Sequence, residues 1–318
     1  VFWVAAVAYI LAGSLIRSLS WLKAIVWLFL GLSAVYIFAQ LVPPLRSLSD
    51  LVFQQGVYSS SLFYLWIIAL AFSQAMFNTR LGWVWRGALM ALVLATLFVS
   101  LVLNSDWTSG WMPAAAAIAA ILVLSRSRWS FLAAVIAAIS LALKADSIQR
   151  LLYAGDNPYS LMTRVEAWRI IGKLVKVNPL LGLGPANYYW YTPLYPILGY
   201  RVNFNSHNNY VDLVAQVGIL GLLAFVWLAV EIGLMGWRLV TRVPEGFSRA
   251  YVIGALGGLA GMLVAGMLGD WFLPFIYNVG LSGFRASILG WVFLGALAVF
   301  EKEVDAGAGA DSTGGGQP

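Results

Sequence analysis

The 318-residue sequence contains no cysteine and one histidine. Without cysteine there is neither a disulfide framework nor a thiolate nucleophile. With one histidine as the sole nitrogen donor, a zinc cage would rest on carboxylates, a poor donor set for that ion. Charge is scarce as well: charged residues make up 10% of the chain and apolar residues 61%. A soluble domain carries about a quarter charged residues, so the bilayer is the solvent that fits this composition. The formal net charge of +6 does not point to nucleic acid, because the basic residues lie between apolar runs, where they set topology and meet anions.

A membrane helix needs about 20 mostly apolar residues. Runs of this kind occupy 1–16, 21–42, 61–77, 82–103, 111–124, 129–144, 208–236, 250–273 and 282–300. The fold expected is therefore an all-α integral membrane protein of about nine transmembrane helices. Arg17, Lys23, Arg80, Arg86, Arg126, Arg128, Arg238, Arg242, Arg249 and Lys302 gather at alternate span ends, while the short loops on the other side hold Arg46 and Arg285. By the positive-inside rule the first set faces the cytoplasm. Val1 then lies outside, an awkward start for a chain with no visible signal sequence, and the expectation is a fragment that lacks a preceding helix. The chain divides into transmembrane helices over 1–144, a large extracytoplasmic loop over 145–206, further transmembrane helices over 207–303 and a Gly/Ala-rich cytoplasmic tail over 304–318, expected to be disordered.

Long connections are uncommon unless they carry function, and the loop is rich in cations and aromatics, including Tyr188-Tyr189-Trp190-Tyr191. Thr163 and Glu166 match a capping box, which predicts a short helix from there to about Val177. Arg164, Trp168, Ile171 and Val175 would share one face, and Arg169, Lys173 and Lys176 another. The second face reads as a solvated or headgroup-facing stripe. Arg164 sits on the apolar face, where its guanidinium requires either an ion pair with Glu166 or Asp156 or an oxyanion ligand such as a diphosphate. Pro179-Leu180-Leu181-Gly182-Leu183-Gly184 reads as a tight turn that lets backbone approach something closely. Ser206 is the expected cap of the following helix, placing His207 at its first position, where the helix dipole favours the neutral imidazole that a general base requires. Asp212, one turn below Asn208, is placed to orient a polar partner or to pair with an arginine, and Arg201 and Tyr210 are candidates through their nearness to His207.

Taken in order, Leu124-Ser125-Arg126, Arg164 with Trp168, Asn178-Pro179-Leu180-Leu181-Gly182-Leu183-Gly184, His207-Asn208-Asn209-Tyr210 and Gly218-Ile219-Leu220-Gly221-Leu222 resemble the O-antigen ligase and polymerase superfamily of bacterial membrane glycosyltransferases. The resemblance covers roughly residues 110–236. It implies transfer of a glycan from an undecaprenyl-diphosphate carrier to an acceptor hydroxyl, on lipid A core or another surface acceptor, at the outer face of the inner membrane. That transfer would be inverting and would use neither metal nor other cofactor. Arg164 would neutralise the leaving diphosphate and His207 would take the acceptor proton, with Trp168, Arg169, Arg201, Asn208, Tyr210 and Asp212 lining the substrate. Arg126 fits the family pattern but falls on the cytoplasmic side of this topology, which leaves it a structural or headgroup role unless the helices over 111–144 are drawn wrongly. The same residues suit a polymerase, in which the growing glycan is the acceptor, and a protein O-oligosaccharyltransferase. A transporter is the contrasting class, and neither an internal repeat nor charge near the midplane favours it.

Overall fold

The computed structural model describes residues 2–53, 61–104, 108–125, 158–280 and 283–304. Among these the chain is helical, with no strand. In order come α1 (Phe2–Leu15), α2 (Leu19–Leu41), α3 (Pro43–Phe53), α4 (Ser61–Phe77), α5 (Trp83–Phe98) continued by a π-turn (Val99–Leu103), and α6 (Thr108–Leu124). Then follow α7 (Pro158–Val175), a 3-10 helix (Asn187–Leu194), α8 (Asn209–Arg242), α9 (Phe247–Leu268), a single turn α10 (Ile276–Val279) and α11 (Phe284–Gly295).

Four stretches are long and apolar enough to cross a membrane: Leu19–Leu41, Trp83–Leu103, Asn209–Arg242 and Phe247–Leu268. Shorter apolar helices match the runs expected at 1–16, 61–77 and 111–124, and the run at 129–144 lies outside the described residues. The centre of the bundle is α9, packed on α4, α6 and α8. It can sit there because of its glycines: a Cβ on Gly257 would lie 2.4 Å from Ile121 of α6, and one on Gly258 would lie 2.3 Å from the Trp66 ring of α4. Close backbone approach through small residues is how helices associate where lipid offers no hydrophobic drive. Every residue of α4 from Leu62 to Ala71 is at most 5% exposed, as expected for a helix apolar on all sides. The outer helices instead present Trp21, Leu28, Leu94, Leu223 and Trp227 outward, a surface suited to acyl chains.

Several expected boundaries move. α3 occupies a stretch expected to be loop; Pro43 opens it at a position where a missing N–H costs nothing, and Arg46 Nε donates to the Gln40 carbonyl at the end of α2 (2.8 Å). α7 starts at Pro158, so Thr163 lies inside the helix and does not cap it. α9 stops at Leu268, short of the expected Leu273, because Asp270 turns its carboxylate back onto the Phe275 N–H (3.1 Å) instead of continuing the helix. The span expected at 208–236 extends to Arg242 and is broken at Gly218 (φ 69, ψ −173).

Candidate functional site

The break in α8 explains the glycine-rich turn. At Gly218 the helix loses its own hydrogen bonds, and the segment after α7 replaces them. Leu183 and Gly184 N–H donate to the Ala215 and Gln216 carbonyls (2.9 and 3.0 Å), while Ile219 and Leu220 N–H donate to the Pro179 and Leu180 carbonyls (2.9 and 3.3 Å). The Gln216 side chain adds a bond from the Ala186 N–H (2.8 Å). The two backbones meet so closely that a Cβ on Gly182 would lie 2.6 Å from the Gly218 nitrogen, and one on Gly218 would lie 2.1 Å from the Leu180 oxygen. What the turn approaches is therefore the chain's own broken helix. Irregular backbone next to a bilayer requires such internal pairing.

This junction holds the residues between Asn205 and Asp212. Asn208, rather than Ser206, caps α8: its side-chain oxygen accepts from the Tyr210 and Val211 N–H (2.9 and 3.2 Å). The Ser206 hydroxyl is drawn elsewhere, 2.7 Å from Asp212 Oδ1 and 2.8 Å from the Asn208 carbonyl. His207 consequently stands before the helix, in the left-handed region at φ 49, with its side chain 45% exposed. Its Nδ1 lies 3.8 Å from Asp270 Oδ1, an electrostatic contact longer than a hydrogen bond. Asp270, in the loop after α9, also accepts from Phe275 N–H and Asn205 Nδ2 through Oδ2 (3.1 and 3.4 Å). Burial alone would raise its carboxyl; the His207 imidazole and the Phe275 N–H outweigh that and hold it below the ordinary value.

Under this loop lies a buried polar cluster. The Tyr188 hydroxyl donates to Asp212 Oδ1 and accepts the Ser206 N–H. Burial, with the Asp212 carboxylate beside it, keeps the Tyr188 phenol well above its ordinary pKa and therefore a donor. Asp212 is 2% exposed, and its Oδ2 has no hydrogen-bond partner. α7 reaches the same loop through Trp168, whose indole N–H donates to the Ser206 carbonyl (2.7 Å). Ile171 and Val175, on the face expected for them, are buried with Tyr188, Ala215 and Phe275. Arg164 is half-buried one turn before Trp168 on that helix, and side chains four apart are neighbours.

The other expected residues are placed differently. Arg169 is exposed and paired with Glu166 (2.8 Å), Arg201 is exposed, and Arg126 lies outside the described residues. The Tyr210 hydroxyl donates to the Leu263 carbonyl (2.7 Å) and its ring meets Phe225 and Phe272, so it ties α8 to α9. Asn208 Nδ2 does likewise at the Met267 carbonyl (3.2 Å). In the aromatic run Tyr189 stacks on Tyr277 at 4.9 Å, while Trp190 remains 59% exposed. Sequence reading missed Asp270 as the partner of His207; its signal was an acid next to a glycine at the end of an apolar run. Among the described residues, no group of three or more histidine, aspartate or glutamate side chains could hold a metal ion.

Residues 86–226 match the model of a family described as O-antigen ligase. The match runs from α5 through the break in α8 and ends before α9, so it contains Arg164, Trp168 and His207 and leaves out Asp270. No curated protein matches the chain.

Proposed function

We propose that this chain, whose residues 86–226 match the model of a family described as O-antigen ligase, transfers a glycan from an undecaprenyl-diphosphate carrier to an acceptor hydroxyl at the outer face of the inner membrane. The observation that carries this reading is the arrangement at His207. Its Nδ1 is turned toward Asp270 (3.8 Å), which leaves Nε2 directed away from that carboxylate as the nitrogen for an acceptor proton. The acceptor oxygen attacks the anomeric carbon, its proton passes to Nε2, and the bond from that carbon to the diphosphate breaks on the opposite side, inverting the centre. Negative charge grows on the departing diphosphate, and a guanidinium such as Arg164 stabilises it most where water is excluded.

Asp270 orients the imidazole and stabilises the positive charge it gains on taking the acceptor proton, and Trp168 fixes the loop that carries it. Asn208, Tyr210 and Asp212 hold the same loop from below. Arg169 and Arg201, both exposed, are offered to the charged headgroup region of the donor; Arg126 is retained as a contact to it on the family pattern alone. Lipid A core is the preferred acceptor, with polymerisation and protein glycosylation as the alternatives within the same chemistry.

The test is glycan transfer in reconstituted vesicles from an undecaprenyl-diphosphate-linked donor, with lipid A core and with no added acceptor. Product on the core that falls by roughly 10²-fold or more in His207→Ala and in Arg164→Ala, the scale of one acid–base or charge-stabilising group, is the expected result. Longer carrier-linked chains without core product would move the assignment to polymerase. Unchanged transfer in His207→Ala would refute the site.

A further inference from the structure

At the other end of α8 and α9 from Asp270, about 30 Å away by the length of α9, the bundle carries a composite cavity that the transfer reaction does not use. One part, about 260 Å³, is polar and includes Lys23, Asn78, Arg80 and Glu245 in its lining. The second, about 530 Å³, is an apolar groove between α2 and α5, running from Trp27 past Gly31 and Ala34 to Phe38. Trp27 and Leu81 line both, so the polar part adjoins the groove.

The charges in the polar part are specific. Nearby Arg86 is committed to the Ala75 and Met76 carbonyls (2.7 and 3.2 Å). Lys23 and Arg80 are exposed, and the Lys23 ammonium lies 5.7 Å from the centre of the Phe247 ring. In the same lining is one carboxylate open to a ligand, Glu245, bridged on one side to Arg249 (3.1 Å), whereas the Asn78 side-chain oxygen is buried out of reach. Gln74 fixes the orientation of Asn78, since its oxygen accepts from Asn78 Nδ2 (2.7 Å) while its own amide donates to the Phe247 carbonyl (3.2 Å). Two cations beside one carboxylate match a phosphate joined to a primary ammonium.

The groove supplies the scale. From Trp27 to Phe38 it follows α2 for about 16 Å, roughly half of a hydrocarbon core some 30 Å thick, which is the depth of one leaflet. We propose that this cavity is a binding site for a glycerophospholipid with an ethanolamine headgroup. Lys23 and Arg80 hold the phosphate, Glu245 faces the ammonium, and acyl chains lie along Trp27, Gly31, Ala34 and Leu92. A polyprenyl chain, longer than one leaflet, fits this depth less well.

The experiment is native mass spectrometry of the full chain in micelles, supplied with phosphatidylethanolamine, phosphatidylglycerol and phosphatidylcholine of matched chains. Retention of phosphatidylethanolamine over the other two is expected. Lys23→Ala with Arg80→Ala lowers it about twenty-five-fold, about fivefold per cation. Glu245→Gln shifts the preference toward phosphatidylglycerol. Gly31 has nothing within 4 Å of a Cβ position, so Gly31→Phe can place its ring in the groove and abolishes retention while the helical spectrum stays intact. Equal retention of all three lipids, preference of the parent for phosphatidylglycerol, or undiminished retention in Gly31→Phe would overturn the proposal.

Discussion

Gly218→Ala tests the idea that a backbone junction builds the site. At φ 69 and ψ −173 the residue occupies a region essentially reserved for glycine, where a side chain costs about 1–3 kcal/mol. The added methyl would also lie 2.1 Å from the Leu180 oxygen. That atom belongs to the backbone and cannot rotate away, so the two segments of the junction must part. Parting them breaks the bonds from Ile219 and Leu220 N–H, each worth roughly 1 kcal/mol net. Together these predict a loss of about 4 kcal/mol and a thermal midpoint in micelles lower by roughly 10 °C. Gly172→Ala is the matched control: it lies within α7 with nothing near its Cβ position, and it should gain about 0.5–1 kcal/mol from helix propensity alone. A Gly218→Ala protein as stable as the parent, with transfer intact, would refute the reasoning.

Asp270→Asn keeps the shape of the loop but removes the charge facing His207, and vesicle transfer should fall by about tenfold or more while the protein remains folded by circular dichroism. The same aspartate predicts an acid limit. Because its folded pKa is lowered, its contribution is complete above the ordinary carboxylate value near pH 4 and is lost as pH falls through the folded value. Below about pH 4 the thermal midpoint of the parent should therefore drop more steeply than that of Asp270→Asn, and parallel curves would remove this role. Tyr188→Phe deletes the phenolic donor to a buried carboxylate, a change that should cost about 2 kcal/mol, read as a lower denaturation midpoint. Trp168→Phe keeps the ring but loses the bond to the Ser206 carbonyl; transfer should weaken with a stability change near 1 kcal/mol.

Apolar runs made most helices legible, since length and hydropathy alone separate α2, α5, α8 and α9 from their connections. The face of α7 was legible too: Trp168, Ile171 and Val175 stand at helical spacing and do pack inward. What the sequence hid were competitions among polar groups. Ser206 and Asn208 are both good N-caps by type, and the choice between them depends on Asp212 and Tyr188, the second of these 18 residues before Ser206 in the chain. Thr163 and Glu166 satisfy a capping pattern that an earlier proline overrides. Asp270 could be recognised as a partner of His207 only once α9 ended early and its loop turned back across α8.

The break at Gly218 connects these points. From Ile219 to Arg242 the second half of α8 runs about 36 Å, enough to cross a bilayer core of some 30 Å by itself. The nine residues from Asn209 to Val217 are therefore not needed for crossing and are free to carry Asp212 and the cap behind His207. A continuous helix would fix their direction by the axis of the span below. Breaking it lets the turn from Pro179 to Gly184 set that direction through backbone hydrogen bonds, and the same turn follows directly from α7, which bears Arg164 and Trp168. Two segments separated in sequence are thus referenced to one junction, and the two glycines that allow it, Gly182 and Gly218, are the positions where neither backbone can accept a side chain.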